Sequence, residues 1–442
     1  MEKLLKNQAF ILCIILVAGI ISGCGGTGEK GAESGVKLVW FTEQMDDVQY
    51  ERWMKYVVSP FNEQHPGVTV EISASADYEQ VLRIQLSSGA GPDICNLGGP
   101  SLTSEYVKGD KLLDITDYVN NSGLDKRIFR WALDSCRING KLYSLPNSYE
   151  ALLLWYNEDL FARNNWKPPV TYDDFTALSN AIQAKGIIPI AFGTSNFKAI
   201  NEQFVSVAFA DYAGRENVKK ALNNELKWTE PVFLGSITVL NDMWQKGWIN
   251  DKKSHAISSD EAYSLFYMEQ AAMAMTGTWA LDTFGNQITD FKYNAVPFPS
   301  LRDGVEPTIP FGAGGVVSIN AATKNPDECF SFIKFIFDNT ANQAKAVGEG
   351  AQPLPVDADE SLYPSAMREV DKRILNMLEV TQGNLQQAGH VMWTYWPAET
   401  RQYMMDNIEN VYLGRLTPAD YLARSQEIFA KEYAEGKVIP VN

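Results

Sequence analysis

The stretch HPGVTVEISASADYEQVLRIQLSSGAGPDICNLG, residues 65–98, sets the fold class. Pro66-Gly67 makes a turn, and Val68, Val70 and Ile72 then alternate with polar residues as in a strand. Val81, Leu82, Gln85 and Leu86 next share one helical face, which closes in small residues before the short apolar strand of PDICNLG. Upstream, KLVWF (residues 37–41) is a β-branched and aromatic strand, and Tyr50, Trp53, Val57 and Phe61 recur at helical spacing. Strand, helix, strand, helix, strand, with turn signals between them, is α/β layering around a largely parallel sheet.

The alternation continues downstream. NGKLYSLPNSYEALLLWYN (139–157) reads as two strands around a bend. TYDDFTALSNAIQAKG (171–186) is a helix with Thr171 as N-cap, Asp173 and Asp174 in its first turn, and Gly186 at its end. IIPIAFG is a strand, and helical patterns dominate from Phe204 to Met275. FYMEQAAMAMTGTWAL (266–281) is a helix end and a buried strand that breaks at Gly277 and delivers Trp279 just past the end. FGAGGVVSIN is a glycine-rich strand and NPDECFSFIKFIFDN an amphipathic helix opened by Asn325-Pro326. Residues 363–433 are almost wholly helical, with non-helical breaks at WTYWP and GRLTP.

A chain of 442 residues exceeds what one core supports, so two lobes, or one large domain with insertions, are expected. A hydrophobic content of 45% with 12% aromatics excludes a disordered chain. The net charge of −16 argues against nucleic acid or an anionic membrane surface as the main partner. Cys95, Cys136 and Cys329 contain no C-x-x-C pair; they read as small buried residues, with one disulfide open. His65, His255 and His390 are too scattered for a histidine metal site, and no cofactor motif occurs.

At the N-terminus, Lys3 and Lys6 precede an apolar run at residues 9–21. That run is shorter than the roughly 20 residues a membrane-crossing helix needs, so residues 1–23 read as a signal peptide. Ile21-Ser22-Gly23-Cys24 looks like a bacterial lipobox, with Cys24 as the lipidated residue and the glycine-rich residues 24–35 as a flexible tether.

Seven segments, PFNEQHPGVTVEI, SSGAGPDI, NGKLYSLPNSYEALLLWYNEDLF, VTYDDF, MAMTGTWAL, INAATKNPDECFSFIKFI and YLGRLTPADYL, occur in the order found in extracellular solute-binding proteins (family 1) of ABC importers. The chain resembles the carbohydrate-binding branch that includes the maltodextrin-binding proteins. The resemblance runs from Lys37 to about Ala430. It implies a two-lobed α/β fold like the type II periplasmic binding proteins, each lobe a mostly parallel sheet flanked by helices, joined by a hinge of several crossings. The crossings are expected near Pro146 to Glu150, near Ser300 and near Asn339. That gives an N-terminal lobe of 36–147 and 300–339 and a C-terminal lobe of 148–299 and 340–442. It also implies a non-catalytic, monomeric receptor, held by its lipid on the outer face of a Gram-positive cell membrane, which delivers a sugar or oligosaccharide to the transmembrane subunits of an ABC permease.

A sugar site needs aromatic platforms for C–H faces and carboxylates or amides for hydroxyls, presented on turns at strand ends. The resemblance puts Trp279 of the small-G-x-W turn against a sugar ring and Glu150, after the LPNSY bend, on a hydroxyl. It also places ligand contacts at the end of the first strand, at Trp40 and Glu43, although Trp40 equally suits an inward-facing strand position. Asn96 emerges from PDI, where NLGGPS departs from the maltodextrin-binding pattern and counts against a long maltodextrin. Glu202, beside Asn201, lies near a family position that supplies a carboxylate. Trp228 and Trp396, the latter clustered with Trp393 and Tyr395, are further aromatic candidates, whereas Trp53 and Trp244 read as core. A polyamine, boxed by Glu43, Glu150 and Glu202 with aromatics, is the strongest non-sugar alternative. A glycerol phosphodiester or peptide ligand is less well supported, and a secreted glycosidase or lyase lacks any visible catalytic spacing.

Overall fold

The computed structural model describes residues 35–442 apart from 197, 440 and 442. The segments read above as signal peptide and lipobox, Cys24 among them, lie outside the described residues.

Two sheets organise the chain. In the first, Val36–Glu43 runs parallel to Val68–Ser75 on one side and to Ile94–Leu97 on the other. Val316–Ile319 follows, antiparallel to Ile94–Leu97 and to the outermost strand Ser144–Pro146. The alternation read at residues 65–98 is what builds this lobe. Val68–Ser75 presents Val70 inward, and the helix Tyr78–Ser88 buries Leu82 and Leu86 against Leu38, Ile94 and Val317. Gly89 stops that helix at φ 74°, a left-handed conformation that glycine adopts without a Cβ clash.

The second sheet is centred on Tyr149–Asn157, all of whose residues but Glu150 are buried. Such a near-continuous apolar run is the mark of a strand covered on both faces. It pairs antiparallel with Ile309–Ala313, Ala271–Gly277 and Tyr293–Val296, while Ile188–Ala191 and Ala388–His390 add parallel strands further out. The helix Tyr172–Gln183 starts as its sequence requires: Thr171 Oγ1 accepts from the Asp174 amide at 3.1 Å and Asp174 returns a bond to the Thr171 amide.

The chain first changes sheet at Asn147-Ser148, inside the expected bend. Its second passage falls at Gly314-Gly315 and not near Ser300. Residues 300–308 are still tied to the second lobe, with Leu301 and Thr308 amides bonded to the main chain and carboxylate of Asp211, and Ile309–Ala313 joins the second sheet. The third passage lies beyond Val356 and not near Asn339, because Ala346, Leu354 and Val356 still pack in the first core while Met367 and Leu375 pack in the second lobe.

Three tryptophans expected at a binding surface are instead core residues. Trp40 is fully buried, edge-on to Trp53 with ring centroids 4.8 Å apart and packed on Phe332. Trp228 and Trp396 lie 5.1 Å apart inside the second lobe, with Phe209, Phe233 and Phe429 around Trp228. The expected break at residues 393–397 is in part a helical turn, Met392–Tyr395, which folds Trp396 inward. Cys95, Cys136 and Cys329 are buried and unbridged. Replacing Trp228 by alanine empties a site with no solvent access, so Trp228→Ala is expected to cost about 3–5 kcal/mol in urea unfolding. A cost below about 1 kcal/mol would mean that the ring is not part of this core.

Candidate ligand-binding cleft

Between the two sheets lies a cavity of about 430 Å³ lined from both lobes. The first lobe supplies the carboxyl ends of two strands, with Glu43 as the last residue of one, Asn96 on the other and Gly98 just past its end. It adds the helix Asp47–Trp53, whose capping box on Asp46 and Gln49 fixes its start, and Arg52 and Trp53 in the last turn face the cavity. Tyr78 and Glu79 come from the first turn of Tyr78–Ser88. The second lobe supplies Glu150 from the hinge strand, Glu202 and Gln203 from Asn201–Ala208, Trp393, and Arg401 from Ala398–Tyr412. Trp279 and Asp282 follow the strand Ala271–Gly277.

The turn at Gly277 is required by the ring that follows. A Cβ at position 277 would meet the Trp279 indole at 2.0 Å, so only glycine lets the ring fold back over the strand end. Trp279 is half-buried and stands edge-on to the buried Trp393, with centroids 5.8 Å apart. The first lobe repeats the pattern: half-buried Trp53 is backed by Trp40, whose Nε1 donates to Asn96 Oδ1 at 3.1 Å. Each wall therefore carries a partly exposed indole held in place by a buried one.

Among the described residues, only two ion pairs have both partners buried, and both line this cavity. Arg52 donates from Nη1 and Nη2 to the two carboxylate oxygens of Asp282 at 3.0 and 2.6 Å, joining the lobes. Arg401 clamps Glu202 through Nε and Nη2, the latter at 2.7 Å to Oε1, within the second lobe. Burial works against the Arg401 charge, but Glu202 outweighs it and holds the guanidinium protonated. Glu202 thus has both oxygens engaged.

Glu43 and Glu150 lack such a partner. Glu43 is exposed at the cleft surface yet ringed by protein, and this desolvation, with the neighbouring Glu79, raises its carboxyl above the ordinary range against the pull of Arg401. Burial, then Glu43 and Glu202, push the Glu150 carboxyl up to about 8. Its Oε2 sits 2.6 Å from where a Cβ of Gly314 would be, so the glycine at the second crossing makes room for this acid.

Of the residues singled out in the sequence, the fold brings Glu43, Asn96, Glu150, Glu202 and Trp279 together here. Trp40, Trp228 and Trp396 are not in the wall, and Trp40 supports Trp53 from behind. Asn201 is turned away, its Nδ2 donating to Met405 O at 3.1 Å. Sequence reasoning missed Arg52, Glu79, Asp282 and Arg401, and it placed Trp53 in the core. Asp282 follows Trp279 at a spacing of one helical turn, a signal that was available; Arg401 and Glu202, 199 residues apart, offered none.

Residues 44–343 match the model for bacterial extracellular solute-binding proteins. The chain belongs to that family. It is 24% identical over 351 residues to the multiple sugar-binding protein of Streptococcus mutans serotype c, covering 77% of this chain and 80% of that one. The melibiose/raffinose/stachyose-binding protein of Bacillus subtilis is 24% identical over 314 residues, 68% of this chain and 70% of its own. A solved chitin oligosaccharide binding protein has the same fold, with a TM-score of 0.78 at 22% identity over 91% of this chain and 100% of that chain. In this structure the buried Arg52–Asp282 pair links the two lobes directly.

Asp282→Asn leaves Arg52 without its anion. In a rigid core that would cost about 3–5 kcal/mol, but here the guanidinium regains water if the lobes separate. X-ray scattering of the ligand-free variant is therefore expected to give a larger radius of gyration than wild type, with little loss of melting temperature. An unchanged radius with a much lower melting temperature would contradict this. Glu150 generates a second prediction. With its folded value near 8 and an unfolded value of about 4.3, the folded protein alone holds this proton between those limits. Stability then falls as pH rises through that window. The melting temperature of Glu150→Gln minus that of wild type is expected to climb from about pH 5 to about pH 8 and level off above. A flat difference would show that Glu150 titrates normally beside Glu43 and Glu202.

Proposed function

We propose that this chain is a non-catalytic receptor that captures a sugar or oligosaccharide between its lobes and delivers it to an ABC permease. The observation that carries this reading is the pair of half-buried indoles, Trp53 and Trp279, on opposite walls of a cavity of about 430 Å³ fringed with hydrogen-bond acceptors. Indole faces take up the C–H faces of a pyranose, and carboxylates and amides accept from its hydroxyls. The sugar-binding names of the relatives support the same ligand class. In this reading the moving bodies are residues 35–147 with 315–356 and residues 148–314 with 357–442. Ligand touches both only when they are shut, which shifts the open–closed equilibrium and presents the shut form to the permease. Cys24 holds the monomeric receptor to the outer face of the cell membrane by its lipid.

Isothermal titration calorimetry against mono- and oligosaccharides tests the ligand class. At least one saccharide is expected to bind without turnover, and Trp279→Ala is expected to weaken it by about 2–4 kcal/mol, as for a stacking anchor. A folded protein that bound no saccharide, or that hydrolysed one, would overturn the proposal.

A further inference from the structure

Trp40 is fully buried behind the cleft wall, packed edge-on against Trp53 and Phe332, and yet it makes a polar contact with a residue that faces the cavity. Its indole Nε1 donates to Asn96 Oδ1 at 3.1 Å. Asn147 Nδ2, from the first crossing, reaches the same oxygen at 3.4 Å. An indole N–H donates and never accepts, so the amide atom turned toward it must be the oxygen. That contact settles which way the Asn96 amide points, a choice that its nearly symmetrical shape leaves open. The main chain of Asn96 is held as well, since Tyr78 Oη donates to its carbonyl and the strand pairs it with Val317.

The other end of the amide is left for the cleft. Asn96 is half-buried in the cavity wall, and its Nδ2 donates to no acceptor among the described residues. An amide free to turn would offer oxygen or nitrogen as its neighbour required, and the position would select nothing. Here, turning it over strands the buried Trp40 N–H without an acceptor, which is costly.

We infer that Trp40 is a positioning residue for ligand recognition: it fixes Asn96 as a donor, so the captured saccharide must present an oxygen acceptor there. The inference rests on the proposed function and adds to it a specificity determinant that itself touches no ligand.

If Trp40 merely backs Trp53, its loss acts independently of Asn96, and a double-mutant cycle separates the two roles. Calorimetry on the full-length protein screens raffinose, maltotriose and chitotriose, and the cycle uses whichever binds most tightly. Trp40→Phe keeps an aromatic ring against Trp53 and removes the N–H. It is expected to weaken binding about ten-fold in the wild-type background, and Asn96→Ala about ten-fold or more. In the Asn96→Ala background, Trp40→Phe is expected to change affinity by less than about two-fold, because the amide it orients is gone. Should Trp40→Phe not fold, a tryptophan analogue at position 40 with sulfur in place of the indole N–H keeps the volume and serves the same cycle. Equal losses from Trp40→Phe in both backgrounds, or an Asn96→Ala variant that binds like wild type, would overturn the inference and leave the sugar receptor intact. Binding of none of the three trisaccharides to the folded wild-type protein would overturn both.

Discussion

The Arg52–Asp282 pair is the interaction on which the observed arrangement of the cleft depends. It joins residues 230 apart, takes both charges nearly out of water, and lies on the rim shared by the two lobes. Two ions removed from water repay that cost only with good geometry, and the two-point contact between guanidinium and carboxylate supplies it. The pair exists only while the lobes touch. It therefore favours this arrangement of the lobes without locking it covalently.

Behind that contact, the cleft depends on where the backbone gives up its side chains. Gly277 lets the Trp279 ring fold over a strand end, Gly314 leaves space for the Glu150 carboxylate, and a Cβ at Gly99 would meet the main chain of Trp393 at 2.4 Å. In the first two cases a glycine makes room for a large or charged group of the site, and in the third for the backbone carbonyl of a supporting residue. Affinity for a solute then comes from side chains held in advance by neighbours, such as Trp53 by Trp40 and Trp279 by Trp393.

Much of the fold was legible because it is local. The alternation at residues 65–98, the capping box at Thr171 and the apolar run after Tyr149 each follow from the spacing of nearby residues. The tryptophans were not. A cleft wall is an apolar face just as a core is, so spacing says which side of an element is apolar and not what covers it. Trp228 and Trp396, remote from each other in sequence, pack together and cover one another, while Trp53, on a helix that reads as ordinary core, was left half open. The crossings show a related limit. FGAGGVVSIN reads as one strand, yet its glycine pair divides two strands of different sheets. Acids at strand ends were found because a strand's end is visible in sequence, whereas the arginines that neutralise Asp282 and Glu202 come from remote helices.

The central claim is that ligand sits between the lobes, against Trp53 on one side and Trp279 on the other. A crystal structure of the protein with the tightest saccharide from calorimetry tests it most directly. The account predicts a sugar ring on the Trp279 face with polar groups directed at Glu43, Glu79 and Glu150. Saccharide bound elsewhere on the molecule, with the space between these two indoles unoccupied at saturation, would contradict it.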